Sequence, residues 1–216
     1  MKYSSKNIAC IAGTLIVAGL LAASAADTTT GEKLSSKGAS FIKEASAGNQ
    51  SEIALAQLAQ QKAQNPEVKN LAQMLEQDHQ KAQEKLQTIA QAHGIQLGNT
   101  LTYTQKRTQA KLGKLTGADF DQQYTKNMLE DHAADIKNFQ KASETLDDAD
   151  VKEYAQMMLP KLQTHLQHAE SAAKSAGVDE ATISSITKDV PGAVGGTGEN
   201  SESSKGAGKQ QGTTQP

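Results

Sequence analysis

The chain has 216 residues, 37% of them hydrophobic but only 3% aromatic, with no Trp and a single Cys. Its 22 basic and 24 acidic residues give a formal net charge of −2 without any basic block, which sets nucleic acid aside as a partner. A core so short of aromatics has to be built from Ala, Leu, Ile and Met, the material of closely packed helices, and the period-two alternation of a sheet is missing.

The N-terminus reads as an export signal. Lys2 and Lys6 supply positive charge, residues 11–21 are apolar or small, and Ala23-Ser24-Ala25 fits the small-x-small rule for cleavage before Ala26. The apolar run is shorter than the roughly 20 residues a membrane span needs. Cys10 precedes that run, whereas a lipid-modified Cys would follow it. The expectation is a periplasmic or secreted protein of the cell envelope, with no transmembrane span after signal removal. Cleavage removes the one Cys, so the mature chain holds no disulfide, thiol nucleophile or Cys-based zinc site. It also removes two basic residues, and the mature charge becomes 20 − 24 = −4.

Residues 26–37 read as a linker. A first helical pattern follows from about residue 38 to 63, with Phe41, Ala45, Gly48, Leu55 and Ala59 on one stripe. Asn65-Pro66-Glu67 is a stop followed at once by a start: Asn as N-cap, Pro at the first helical position, an acid in the first turn. The second helix then carries Val68, Leu71, Leu75, Ala82, Leu86 and Ile89 until Gly94 ends it. A short amphipathic helix is expected near 104–115. The third long helix starts around Ala118 and presents Phe120, Tyr124, Met128, Leu129, Ile136, Phe139 and Leu146. Asp147, Asp148 and Asp150 open the fourth, with Val151, Tyr154, Met158, Leu162, Ala169 and Ala172 before Gly177, and Pro160 inside it predicts a kink. Residues 178–189 add a short helix or turn. The stretch 190–216 holds seven of the 17 glycines and no apolar period, and reads as a disordered tail.

Four apolar stripes with spacings of three and four residues are buried most simply against each other. The predicted fold is an all-α four-helix bundle over 38–177, with a short extra helix between helices two and three and flexible termini.

Each long helix carries one ionisable residue in its apolar seam: Glu52, His79, His132 and His165. At about 1.5 Å per residue all four lie near helix midpoints, so they share a level whichever way each helix runs. Burying such groups without partners costs about 1–3 kcal/mol each. They therefore contact one another in a hydrogen-bonded network, trap water, or bind a divalent metal, for which imidazole suits Zn, Cu or Fe. Glu76, Asp78 and Asp131 are second-choice ligands. Glu76 shares a helix face with His79, while neighbours such as Asp78–His79 and Asp131–His132 do not share one and read as solvated. His93 and His168 read as surface or rim residues.

The stretches Gln50-Ser51-Glu52-Ile53, Met74-Leu75-Glu76-Gln77-Asp78-His79, Phe120-Asp121-Gln122-Gln123-Tyr124, Glu130-Asp131-His132 and Leu159-Pro160-Lys161-Leu162-Gln163-Thr164-His165 resemble the bacterial domain-of-unknown-function family 4142. The resemblance spans about residues 41 to 170. It implies a ferritin-like fold and an envelope location, and brings no established activity. Members often carry an outer-membrane label, although the chain has no pattern for a β-barrel. Ferritin-type di-iron sites take a Glu from each of two helices and Glu-x-x-His from the other two. Here Leu129 and Leu162 stand three residues before His132 and His165, which argues against di-iron chemistry.

The leading functional expectation is a non-enzymatic envelope protein, interaction- or stress-related, whose core His/Glu cluster is a candidate metal site. Its partners would be other envelope proteins or further copies of the chain. The alternatives are a ferritin-like metal-binding, storage or metal-dependent enzyme, and a peripheral membrane-associated helical protein. No Ser-His-acid set in motif context supports hydrolysis.

Overall fold

The computed structural model describes residues 33–193; the export signal, Cys10, residues 26–32 and residues 194–216 lie outside them. Six helices follow in order: α1 Ser36–Lys62, α2 Pro66–Ala92, α3 Tyr103–Gly113, α4 Gly117–Thr145, α5 Ala149–Ser175 and α6 Glu180–Thr187. Among the described residues there is no strand, and no helix is long and apolar enough to cross a membrane.

Helix ends are set by local chemistry. The Ser35 hydroxyl accepts from the Gly38 amide to cap α1, and the Asn65 side chain accepts from the Glu67 amide to start α2, with Pro66 at the first position. Thr102 and Gln105 form a reciprocal capping box on α3. Gly94 and Gly177, at φ of 66° and 87°, take the left-handed position just past α2 and α5 that a side chain would strain.

The four long helices pair as two antiparallel hairpins, α1–α2 and α4–α5, with α2 packed on α5 and α1 on α4. The relative directions follow from the contacts between helix ends. The buried Asp121 carboxylate at the start of α4 accepts from the Gln64 and Asn65 amides at the end of α1. His93, just past α2, meets Asp150 at the start of α5. Hence α4 begins at the end of the bundle where α2 begins, and the chain between them must travel back along its whole length. It does so over α1: Gln105 donates to the Ala47 carbonyl, and farther on Lys62 reaches the Gly113 carbonyl. One long crossover between two hairpins is the ferritin-type arrangement. The short extra helix expected from the sequence is α3, the middle of this crossover.

The core is aliphatic and alanine-rich, with Leu55, Leu75, Leu86, Met128, Leu129, Ile136 and Leu162 enclosed beside Phe120 and Tyr124. On α1 the buried residues are Gly38, Ile42, Ser46, Asn49, Glu52, Leu55, Ala56 and Ala59, while Phe41, Ala45 and Gly48 are half-buried. The stripe read from the sequence holds from Glu52 to Ala59 and is off by one residue before it, because the Ala- and Gly-rich first half of the helix marks its phase weakly. Helix α5 runs unbroken through Pro160, which is exposed, so the carbonyl its missing N–H leaves free lies on the solvent side. Packed chain also continues past the expected boundary at 190. Ile183, Thr187 and Val190 are buried at helical spacing, and Gln163 and Gln167 donate to the Pro191 and Gly192 carbonyls.

Candidate metal centre

His79 on α2, His132 on α4 and His165 on α5 meet in the middle of the bundle, exposed by only 2%, 1% and 1%. Their ring centroids are 5.3, 5.3 and 5.8 Å apart, and one ring nitrogen from each lies within 4.8 Å of the other two. That composition and spacing can hold a metal ion. The seam positions read from the sequence bring the three histidines together.

The outer nitrogen of each ring is committed. His79 Nδ1 lies 2.9 Å from Asn49 Oδ1. That amide is oriented by Asn49 Nδ2 donating to Gln83, whose own amide donates to Ser46. His132 Nδ1 lies 2.9 Å from the Met128 carbonyl one turn back, and His165 Nε2 lies 3.2 Å from the Asp78 carboxylate on α2. All three partners are acceptors, so each outer nitrogen carries the proton. The remaining nitrogens, His79 Nε2, His132 Nε2 and His165 Nδ1, are then lone-pair donors. His79 Nε2 is buried with no hydrogen-bond partner. With the outer nitrogens protonated, His132 Nε2 faces His165 Nδ1 at 3.3 Å as a second acceptor. Outer N–H groups tied to carbonyl or carboxylate oxygens are how metal-binding imidazoles are oriented.

Electrostatics favour the neutral ligand form. Burial, then the neighbouring His165, pushes His132 down to about 3, against the opposing help of its Met128 bond. Burial and the other two rings hold His79 well below its ordinary value. Burial also lowers His165, although Asp78 works the other way. Asp78 itself sits below the usual carboxylate range: partial burial would raise it, but the His165 bond and the Lys161 and Lys81 charges outweigh burial. An added proton is thus a poor way to relieve the facing lone pairs. A tetrahedral ion with metal–nitrogen bonds of 2.0–2.1 Å holds its ligands about 3.3 Å apart, the spacing His132 and His165 already have. A cavity of about 70 Å³, lined by His79, Asn49, Asp135, Phe41 and Phe139 among others, adjoins the centre and is large enough for a water.

Glu52, expected as the fourth donor, is buried at 4% exposure but is not a member of the three-histidine group. It stands three residues beyond Asn49, a turn of about 60° around the helix, so the two polar residues of α1 serve different neighbours. Asn49 meets α2, while burial and the charges of Asp131 and Asp135 on α4 hold the Glu52 carboxyl well above its ordinary range. Burial and the neighbouring Glu52 likewise raise Tyr124 well above a normal tyrosine. Glu52 Oε2 and the Tyr124 hydroxyl have no hydrogen-bond partner. Asp131, a second-choice ligand, is exposed as a residue on that side of α4, yet its carboxyl lies against enough protein for partial desolvation, and then Glu130, to raise it to about 6. Glu76 is taken by the Gln57 and Gln60 amides of α1, so its shared face with His79 does not bring it to the centre. His168 is exposed, and His93 is half-buried at the rim beside Asp150.

Two contributors, Asn49 and Asp135, went unnoticed in the sequence, and a third stands elsewhere than expected. Asn49 lies on the buried face of α1, one position from the stripe expected. Asp78, a second-choice ligand that reads as solvated, reaches across to His165 on α5 although it does not share a face with His79. Asp135, half-buried and pushed up to about 7 by burial and by Asp131, follows His132 by three residues, a spacing that placed it on the same side of α4.

A family profile described as a domain of unknown function, DUF4142, matches residues 23–172. The chain belongs to the DUF4142 family. The matched span includes the three histidines together with Asn49 and Asp78. A solved DUF305 fragment from Deinococcus radiodurans has a similar fold, with a TM-score of 0.58 and 14% identity over 66% of this chain and 99% of that one. At that identity the likeness is one of fold. No curated protein matches the chain.

Proposed function

We propose that this DUF4142 protein is an exported, envelope-located metal-binding bundle that holds one zinc or copper ion at His79, His132 and His165. The observation that carries the reading is the acceptor that stands against the outer nitrogen of each ring. Each outer N–H is bound to an acceptor, which leaves three inward lone pairs, one of them on a buried nitrogen without a partner. A bundle held together only by a polar network would place a proton between His132 and His165; with each outer nitrogen protonated toward its acceptor, neutral rings leave none for that place.

The donor set selects the metal. Three neutral imidazoles suit zinc and copper, whereas non-haem iron sites pair two histidines with a carboxylate, and no carboxylate belongs to this group. Asn49 and the Met128 carbonyl would fix the rings of His79 and His132, and Asp78 would raise the basicity of His165. The centre lies deep among the helices, which suits holding and handing on an ion more than turning over a substrate. Export supports the same role, since the predicted leader would deliver the chain to the compartment where such ions arrive.

The test is elemental analysis of the full chain purified from periplasm without chelators, followed by titration of chelator-stripped protein with Zn²⁺ and Cu²⁺. One equivalent of either metal, with nitrogen-only protein donors in X-ray absorption, is expected. Substoichiometric metal together with an unchanged melting temperature on titration would overturn the proposal.

A further inference from the structure

We propose a second cation site, separate from the histidines and built from oxygen donors: the cavity between α1, α3 and α4 binds a hard divalent cation, best matched by Ca²⁺. The cavity measures about 350 Å³. Four carboxylates line it, Glu52 from α1 and Glu130, Asp131 and Asp135 from α4, and no lysine, arginine or histidine does. Neutral oxygens from Ser51, Thr104, Thr108, Gln105 and Asn127 complete its wall.

Acidic residues gather on many protein surfaces without binding anything, and the deciding feature is Glu52. It is exposed by only 4%, lines this cavity, and presents a buried Oε2 with no hydrogen-bond partner. Three carboxylates of the facing helix line the same cavity, Asp131 and Asp135 act directly on the Glu52 charge, and the cavity wall supplies no counter-charge. Leaving a buried carboxylate oxygen without a partner is costly. Beside it the Tyr124 hydroxyl is also buried and unpartnered. A cation bound to Glu52 and Asp135, with Asp131 at the solvent side, satisfies the orphaned oxygen and removes the repulsion together. Ca²⁺ takes six to eight oxygen ligands in loose geometry, which matches a mixed wall of carboxylates, hydroxyls and amides. Zinc or copper would instead prefer the imidazoles, and the two sites sort cations by donor hardness.

The crossover makes this site possible. Without α3, the groove between α1 and α4 would be an open acidic surface; Thr104, Gln105 and Thr108 close its outer side, and the Gln105 bond to the Ala47 carbonyl fixes that closure against α1.

The experiment is calorimetric titration of the chelator-stripped full chain with CaCl₂, and in parallel with MgCl₂ and MnCl₂. Wild type, Glu52→Gln, Asp131→Asn and His132→Leu are compared, each also titrated with ZnCl₂. Saturable Ca²⁺ binding is expected in wild type and equally in His132→Leu. Glu52→Gln should lose it, and Asp131→Asn should weaken it roughly tenfold through the lost ligand charge, while both retain the Zn²⁺ response. Should Glu52→Gln fail to fold, the exposed Asp131→Asn carries the decision, and unchanged Ca²⁺ affinity in it sinks the proposal. So does the absence of saturable binding of all three hard cations in wild type, or binding that survives intact in Glu52→Gln. Loss of Zn²⁺ binding alone would instead count against the three-histidine centre and leave this site standing.

Discussion

Replacing His132 with Leu separates a binding site from a structural network, because the two predict opposite signs. His132 Nε2 and His165 Nδ1 face each other at 3.3 Å as two acceptors, and a buried acceptor without a donor costs about 1–3 kcal/mol. Leucine fills a similar volume and removes that opposition. It also removes the Nδ1–H bond to the Met128 carbonyl, worth about 0.5–1.5 kcal/mol. The metal-free variant should therefore be more stable than wild type by about 1 kcal/mol, or about 2–4 °C for a domain of this size. Added metal acts the other way round. Zinc at one hundred times its Kd stabilises the folded wild type by about 2.7 kcal/mol, roughly 5–11 °C, and leaves His132→Leu unmoved. The assay is differential scanning calorimetry of chelator-stripped protein with and without ZnCl₂. A variant destabilised by more than about 2 kcal/mol, beside a wild type indifferent to metal, would refute the reasoning and leave a buried network in its place.

Further outcomes follow from the same geometry. Asp78→Asn should reduce zinc affinity about 10- to 100-fold, the usual effect of losing a ligand's outer partner; titration checks it, and an unchanged Kd would mean the His165 bond does not orient the ring. In the metal-free protein, His132 sits at about 3 folded against about 6.5 unfolded. The unfolded chain then binds the extra proton, and stability falls between pH 6.5 and 3, at most by about 1.4 kcal/mol per pH unit for this group. Asp135, raised to about 7 from about 3.9 unfolded, works oppositely: its protonated form is favoured in the folded state, so it adds stability as pH falls from 7 towards 4. Removing it as Asp135→Asn should steepen the acid loss between pH 6.5 and 4, read from urea midpoints; a shallower slope contradicts the assignment. Deleting 194–216 should leave the melting temperature within about 1 °C, whereas a deletion reaching Val190, which is 5% exposed, should lower it by several degrees through roughly 1.5–3 kcal/mol of lost burial. Intact mass of periplasmic material should begin at or beside Ala26, and a mass retaining residues 1–25 would exclude cleavage there.

The fold was legible because its signals are redundant. Capping at Asn65-Pro66, the glycine stops at 94 and 177 and four apolar stripes all state the same four long helices, and one misread position changes little. The centre was legible only where a helix has large residues to fix its phase. On α2, α4 and α5, Leu75, Leu129 and Leu162 define the seam, and His79, His132 and His165 fall on it. On α1, alanines and glycines leave the phase open by a residue, so the sequence shows the buried Glu52 as an inward residue but hides Asn49, the residue that touches His79. Asp78 shows a different limit. Spacing along one helix says which residues share a face, yet a residue at the edge of that face can reach a neighbouring helix, and its bond to His165 depends on how α2 and α5 pack. Val190 was missed because the glycines after it dominate the composition of the tail, although its spacing from Ile183 and Thr187 continues the pattern of α6.

The two proposed cation sites trace to one asymmetry in the bundle. Three of the four long helices each offer an imidazole to its middle, and α1 offers none. Its polar seam residues, Asn49 and Glu52, lie about 60° apart around the helix, one turned toward the histidines and the other toward Asp131 and Asp135. Had α1 carried a single polar residue on the common axis, the four helices would close one mixed site, as in ferritin-type centres. Instead Asn49 supplies only an acceptor behind His79, which keeps the nitrogen site free of carboxylate. Glu52, still buried, lines a cavity beneath the crossover where every charged group is an acid. A nitrogen donor set and an oxygen donor set thus stand apart within a single bundle, and the division is made by two residues of one helix, Asn49 and Glu52, rather than by two domains.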